Sequence, residues 1–358
     1  MEKIGFPLQP WDPNRMKSFG PSTSGCILGV WIDSVSFTYN FAPRKLNLMI
    51  QFVEQCYLAP ALTLNQMQQM MGKIHYLSTI DHAFSTATGF LANQLQAYLR
   101  LHPHWEDIPI SLQSADIVLS PPSKQDIMVL RALLKMLADR QFPLEVHHWH
   151  NHSRAIYTDA SGVLGQGVGG VLLSSPLSAF AIPLPDGLLT SGLGHIAFVP
   201  MSWRTCPLEL LPVWASLMHF AAEIKHCHVI FYMDNSEAVM AIQRRTSADY
   251  TTCLLIRLIL FTASILDVHV DVAHVNRRSD VFSKVADDLT HFNYRSLFRA
   301  DKRARYEFMP NLPPVNLWFH MFANCQPTPL FRAIMDYVSA LTGAEYLLPD
   351  VQSLMIQH

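Results

Sequence analysis

The feature that most constrains this chain is a change of texture at Arg154. From there on, short apolar runs alternate with long apolar-faced segments. Residues 155–160 and 168–173 read as strands around a glycine-rich turn (Gly162, Gly165, Gly167, Gly169, Gly170). A Pro- and Gly-rich loop at 176–194 follows, and 196–201 reads as a third strand. Beyond it the pattern predicts a helix at 208–224, a strand at 228–233, helices at 236–245 and 249–266, a strand at 268–273 and a helix at 283–291. Three strands followed by alternating helix and strand predict an α/β fold: a mixed five-stranded sheet with flanking helices and its chemistry at the strand ends.

Upstream, residues 1–24 are rich in Pro, Gly and Ser and read as an irregular lead-in. The stretch 25–41 alternates well enough for two strands joined near Asp33-Ser34. Helical spacing then covers 43–57, 64–77 (with Thr63 as N-cap), 83–101 and 124–140, so 25–150 is expected to be a mainly helical module. The α/β region occupies 151–295. The extension 296–358 is basic, then Pro-rich, then helical at about 328–342.

Half of the 358 residues are hydrophobic and 15% are charged, which allows a sizeable core and excludes global disorder. No signal-peptide pattern opens the sequence. The longest apolar stretch, 254–266, is too short to span a bilayer and contains Arg257, so it predicts a buried helix and no membrane partner. The six cysteines form no CxxC pair, pointing to a reducing, intracellular compartment without distinguishing nucleus from cytoplasm. His147, His148, His150 and His152 lack partners at zinc spacing and read as a polar turn. The formal net charge of -2 removes the simplest argument for a nucleic-acid partner.

Four carboxylates fall at informative places. Asp159 lies in the first strand, Glu209 opens the first long helix, Asp234 ends the strand 228–233, and Asp287 sits in the last helix. An acid at the end of an apolar strand is costly to bury unless it is paired or binds a metal. Converging acids repel one another unless divalent cations neutralise them. Two Mg²⁺ ions held by such a set suit hydrolysis of a phosphodiester by in-line attack of water.

The run YTDAS with its trailing glycines, the LELL helix start, the MDN strand end and the VADDLT helix resemble the ribonuclease H domain of retroelement reverse transcriptases. The resemblance implies an RNase H-like fold for 151–295. It also implies Asp159, Glu209, Asp234 and Asp287 as ligands of two Mg²⁺ ions (Mn²⁺ can substitute), and an RNA–DNA hybrid as substrate. Upstream, GCILGVWIDSVSFTYNFAPRKL (25–46) and LTLNQMQQMMGKIHYLS (62–78) are similar to the thumb and connection of the same enzymes, those of DIRS-like elements in particular. The lead-in resembles palm sequence lying after the polymerase hairpin. No Tyr-x-Asp-Asp occurs, so the chain is not expected to polymerise DNA on its own, and a separate polymerase portion is an expected partner.

Three departures from the family pattern stand out. The glycine turn is longer and lacks the family's Trp, Pro212 falls inside the helix that Glu209 starts, and extra residues separate His274 from Asp287. Pro212 predicts a kink that would misaim Glu209. The resemblance implies His274 as a mobile histidine assisting proton transfer or product release; a locally capped strand-end histidine is the plain alternative. Asp234 and Asn235 could simply cap the following helix, and Glu209 alone would read as a solvated first-turn acid. Asn235 is a candidate reader of the RNA 2′-hydroxyl. Arg277, Arg278, Lys284, Arg295 and Arg299, interleaved with Tyr294 and Phe298, form a candidate nucleic-acid grip or else a solvated basic face. A fragment that keeps the fold as a non-catalytic binding or interaction module is the alternative function.

Overall fold

The computed structural model describes residues 24–27, 30–36, 38–104, 116–137, 142–143, 153–184, 205–247 and 249–309. The lead-in before residue 24, the histidine group at 147–152, the strand expected at 196–201 and the extension beyond 309 lie outside the described residues.

The first part combines a small antiparallel sheet with helices. Its strands are β1 (Ser24–Ile27), β2 (Val30–Asp33), β3 (Thr38–Phe41) and β4 (Phe142–Pro143), in the order β1-β2-β3-β4. Three short strands thus stand where two were expected at 25–41. The extra reversal falls between Ile27 and Val30, which pair directly.

Helix α1 (Pro43–Leu58) begins with proline at its first turn, where no intrahelical N–H is needed, and buries Leu46, Met49, Val53 and Cys56. Helix α2 (Leu64–Ser78) starts with a capping box. Gln66 N–H donates to the Thr63 hydroxyl at 3.1 Å, and Thr63 N–H donates to the Gln66 carboxamide at 2.8 Å. The methionine stripe of α2 is core, with Met67 and Met70 fully buried. The helix expected at 83–101 divides into a 3₁₀ turn, His82–Ala87, and α3 (Gly89–Leu101), and α4 (Pro121–Leu137) follows.

The second part is a mixed six-stranded α/β sheet in the order β10-β7-β6-β5-β8-β9. Its strands are β5 (Ser153–Ala160), β6 (Gly167–Leu172), β7 (Ser178–Pro183), β8 (His228–Met233), β9 (His269–His274) and β10 (Arg305–Phe308). Pairs β5–β6 and β6–β7 are antiparallel, whereas β5–β8, β8–β9 and β7–β10 are parallel.

Three expectations are corrected. The sheet has six strands, because Arg305–Phe308 adds an edge. Ser178–Pro183 forms a strand inside the stretch read as loop; its residues Ser178 to Ile182 are buried on both faces, and the prolines around it masked its short apolar run. Gly167 opens strand β6 rather than closing the turn, and Gly169 and Gly170 lie within the strand expected at 168–173.

Helices α5 (Thr205–His219), α6 (Ala221–Ile224), α7 (Ser236–Arg244), α8 (Tyr250–Leu266), α9 (Val281–Thr290) and α10 (Arg295–Ala300) complete this part. Among the described residues, no helix is long and apolar enough to cross a membrane. Helix α8 is the buried apolar segment foreseen around Arg257. Asp249 caps its start by accepting from Thr252 N–H at 2.8 Å, and Asp267 ends it in the left-handed region at φ 55°.

The core does not stop between the two parts. One buried apolar cluster runs from Phe41 and Leu46 through Phe84 and Leu130 to Trp214, Phe231 and Ile259. Arg257, 1% exposed, forms an ion pair with Asp126, which is fully buried. Asp126 also accepts the Phe90 and Leu91 N–H groups at 2.8 Å each, satisfying orphan donors at the start of α3. Arg257 Nε donates to the Thr86 carbonyl at 3.1 Å, and the Ser264 hydroxyl donates to Asp81. A charge this deep persists because Asp126 pairs it and the Thr86 carbonyl accepts from it.

Candidate metal centre at the carboxylate cluster

The four acids singled out from the sequence arrive from four separate elements. Asp159 is the seventh residue of β5, Glu209 lies in the second turn of α5, Asp234 follows β8 and Asp287 is in α9. Parallel pairing of β5 with β8 puts the ends that carry Asp159 and Asp234 side by side, with Tyr157 opposite Tyr232 and their rings stacked 4.7 Å apart. Helix α9 is fastened to the same strand. Asp280 caps it by accepting from Phe282 and Ser283 N–H at 2.9 Å each, and receives the Tyr157 hydroxyl at 3.4 Å.

Close approach of α9 to the sheet depends on Gly169, the register partner of Asp159. A Cβ there would lie 2.7 Å from Leu289 Cβ and 2.9 Å from the Ala286 carbonyl oxygen. Gly169 therefore lets the Asp287 helix settle over the strand beside Asp159.

Each of Asp159, Glu209 and Asp234 offers a carboxylate oxygen within 4.8 Å of those of the other two. Glu209 is only 8% exposed, which rules out the solvated first-turn acid. Helix α5 runs unbroken through Pro212, so the proline has not taken Glu209 away from its partners. Asp287 joins through Arg277, whose guanidinium reaches three acids at once. It donates to Asp159 Oδ1 at 2.9 Å, to Asp234 Oδ2 at 2.6 Å and to Asp287 Oδ1 at 3.1 Å. His291 stands 3.9 Å from the same Asp287 oxygen.

The electrostatics follow from burial and like charge. Burial pushes the Asp159 carboxyl up to about 8; Arg277 opposes the rise, while Asp234 and Asp287 add to it. Burial, then the charges of Asp159 and Asp234, raise Glu209 well above the usual carboxylate range. Asp159 Oδ2 and Glu209 Oε2 are buried with no hydrogen-bond partner among the described residues. Buried carboxylate oxygens left without donors are what a cation would satisfy. A donor set made only of carboxylate oxygens suits a hard divalent cation and does not suit a thiophilic one. The residues present therefore fit a bound metal ion.

The remaining expected residues are placed as follows. His274 ends β9 and its Nε2 donates to the Asp234 backbone carbonyl at 3.0 Å, so it is a strand-end histidine tied to the loop that carries Asp234. Asn235 is the N-cap of α7, its carboxamide oxygen accepting from Ala238 N–H at 3.0 Å. Capping falls to Asn235 and leaves Asp234 to the acid cluster. Arg278, Lys284, Arg295 and Arg299 are exposed on the 275–280 loop, α9 and α10. Tyr294 and Phe298 are also exposed, their rings edge to face at 6.1 Å.

Arg277, expected as part of an outward basic grip, turns its guanidinium, 42% exposed, onto three of the acids. Searches against protein-family models and against curated proteins find no match to this chain.

Proposed function

We propose that the chain is an RNase H-like nuclease of retroelement type that uses Mg²⁺ to hydrolyse the RNA strand of RNA–DNA hybrids. The observation that carries this reading is the convergence of Asp159, Glu209 and Asp234 within 4.8 Å, with Asp287 held to the same place by Arg277. The strand arrangement supports it: three antiparallel strands, then two parallel crossovers that bring Asp159 and Asp234 to one edge. Asp159, Glu209, Asp234 and Asp287 would hold two Mg²⁺ ions, which when bound would supply an activated water and charge stabilisation for the leaving oxygen.

The chain's own residues would do the rest. Burial of Asp159 and Glu209 keeps the ligand oxygens dry and aimed inward, and the Asp280–Tyr157 contact fixes the Asp287 helix. Arg278, Lys284, Arg295 and Arg299 would meet backbone phosphates, a sequence-independent and salt-sensitive grip. Asn235 sits beside Asp234, where a 2′-hydroxyl of the cleaved strand would pass.

A labelled RNA–DNA hybrid incubated with purified protein and Mg²⁺ should be cut in its RNA strand, and Asp234→Asn should abolish the cutting. An intact hybrid, or an Asp234→Asn variant as active as wild type, overturns the reading.

One observation favours a second reading. Arg277 already pairs with three of the acids, as a module with no need of metal would arrange. On that reading the chain is a catalytically inactive binding or interaction module. It predicts hybrid binding without cleavage and no metal-induced stabilisation.

A further inference from the structure

A second cluster of metal-ligating side chains stands at the other end of the same sheet. His228 and His269 are the first residues of β8 and β9 and are direct register partners. Asp271 is two residues further along β9, on the face that His269 shares. The period of two therefore projects all three side chains to one side of a parallel strand pair.

His228 Nε2 lies 2.8 Å from Asp271 Oδ2 and His269 Nε2 3.9 Å from Asp271 Oδ1. The two rings are 5.1 Å apart, and one donor atom from each residue falls within 4.8 Å of the others. His228 Nε2 is separated from the acid cluster by the length of β8, about 20 Å at roughly 3.3 Å per residue. The two groups are independent.

We propose that His228, His269 and Asp271 form a binding site for a borderline transition-metal ion, Zn²⁺ by chemical class. Two imidazoles and one carboxylate are the donor set that Zn²⁺ takes with three protein ligands, at about 2.0–2.2 Å each. Mg²⁺ disfavours imidazole nitrogen and belongs at the all-carboxylate cluster instead. The strands already hold the three donors on one rigid surface, so binding needs side-chain rotation and no backbone rearrangement. The ion takes the Asp271 oxygen that now meets His228. The bound ion joins the starts of β8 and β9 at the open edge of the sheet and leaves one coordination position to water.

Seventeen histidines, four of them at 147–152, make the choice of controls decisive. Chelator-stripped full-length protein is titrated with Zn²⁺ by calorimetry, and with Co²⁺ for its ligand-field absorption. Four variants run in parallel: His228→Ala, His269→Ala, Asp159→Asn, and the quadruple alanine variant of His147, His148, His150 and His152. The expected result is one Zn²⁺ per chain in wild type, in Asp159→Asn and in the quadruple variant, with a rise in melting temperature. In His228→Ala and His269→Ala the affinity should fall by more than the ~10–100-fold that loss of a mere outer partner costs. His228→Gln, which keeps a side chain of similar length on the strand, should behave like His228→Ala and fold normally by circular dichroism. Zn²⁺ binding that survives in both single alanine variants, or disappears in the quadruple variant, overturns the proposal. No stoichiometric binding to wild type overturns it equally.

Discussion

Arg277 donates to Asp159 across 118 residues of sequence, at 2.9 Å, and its other nitrogens hold Asp234 and Asp287. A guanidinium is a fixed fork of donors that cannot lose its charge, and here its three nitrogens each meet a different acid. It therefore competes with any cation for the same carboxylates. Arg277→Ala is expected to bind Mg²⁺ about tenfold or more tightly than wild type, a difference of ~1.4 kcal/mol per decade. The metal-free variant should melt at a lower temperature. Calorimetric titration with Mg²⁺ decides it, and equal affinities in the two proteins would show that Arg277 does not compete.

Asp159 and Asp234 were legible in the sequence because each puts a charge at the end of an apolar strand, whereas Glu209 gained weight only from its partners and Asp287 from the helix run around it. Arg277 was not legible, because an arginine in a polar loop carries no local sign of where its long side chain ends. Strand β7 was hidden for a related reason: Pro176 and Pro183 bracket Ser178–Pro183, and punctuation outweighed five buried positions. Strand β10 reads R-Y-E-F, with three of four residues exposed, an edge pattern without an apolar run. The continuity of the core was equally unreadable, since it rests on Arg257 meeting Asp126 at a separation of 131 residues.

The raised carboxyls make metal-free stability fall as pH rises. Asp159 titrates near 8 in the folded chain against 3.8 for the ordinary group, and Glu209 shifts in the same direction. Below about pH 4 both are neutral in either state and folding bears no penalty. As pH climbs from 4 toward 8 the unfolded chain ionises first, so the folded state loses ground until Asp159 also ionises. Mg²⁺ needs the ionised forms, so its stabilising effect should grow over the same interval. Melting temperatures of the metal-free protein between pH 5 and 8.5 should decline. The double variant Asp159→Asn, Glu209→Gln should lose that decline, and a flat wild-type profile would refute the assignment.

The buried Arg257–Asp126 pair gives a prediction about stability alone. Removing one partner leaves a charge buried without compensation, at a cost of about 3–5 kcal/mol. Asp126→Ala also frees the Phe90 and Leu91 N–H groups, so it should be the worse of the two single variants. Arg257→Met together with Asp126→Leu removes both charges and should recover part of the loss. Urea unfolding of the three variants tests this. Single variants within ~1 kcal/mol of wild type would mean the pair is solvated.

Gly169 connects the packing of the sheet to the chemistry of its edge. Its missing Cβ makes room for α9 at Ala286 and Leu289, the residues on either side of Asp287 and Asp288. Gly169→Ala places a carbon 2.9 Å from a backbone carbonyl, which cannot swing away as a side-chain tip could. The helix must shift, and overpacking of this kind costs about 1–3 kcal/mol. Asp287 moves with the helix while Asp159, on the paired strand, stays. The variant should therefore lose Mg²⁺ affinity and hybrid cleavage out of proportion to its stability. Gly72→Ala is the matched control: it lies inside α2 with nothing within 4 Å of the added carbon, and should gain about 0.5–1 kcal/mol without touching activity. If Gly169→Ala binds Mg²⁺ and cleaves as wild type does, the close seat of α9 on β6 is not what places Asp287.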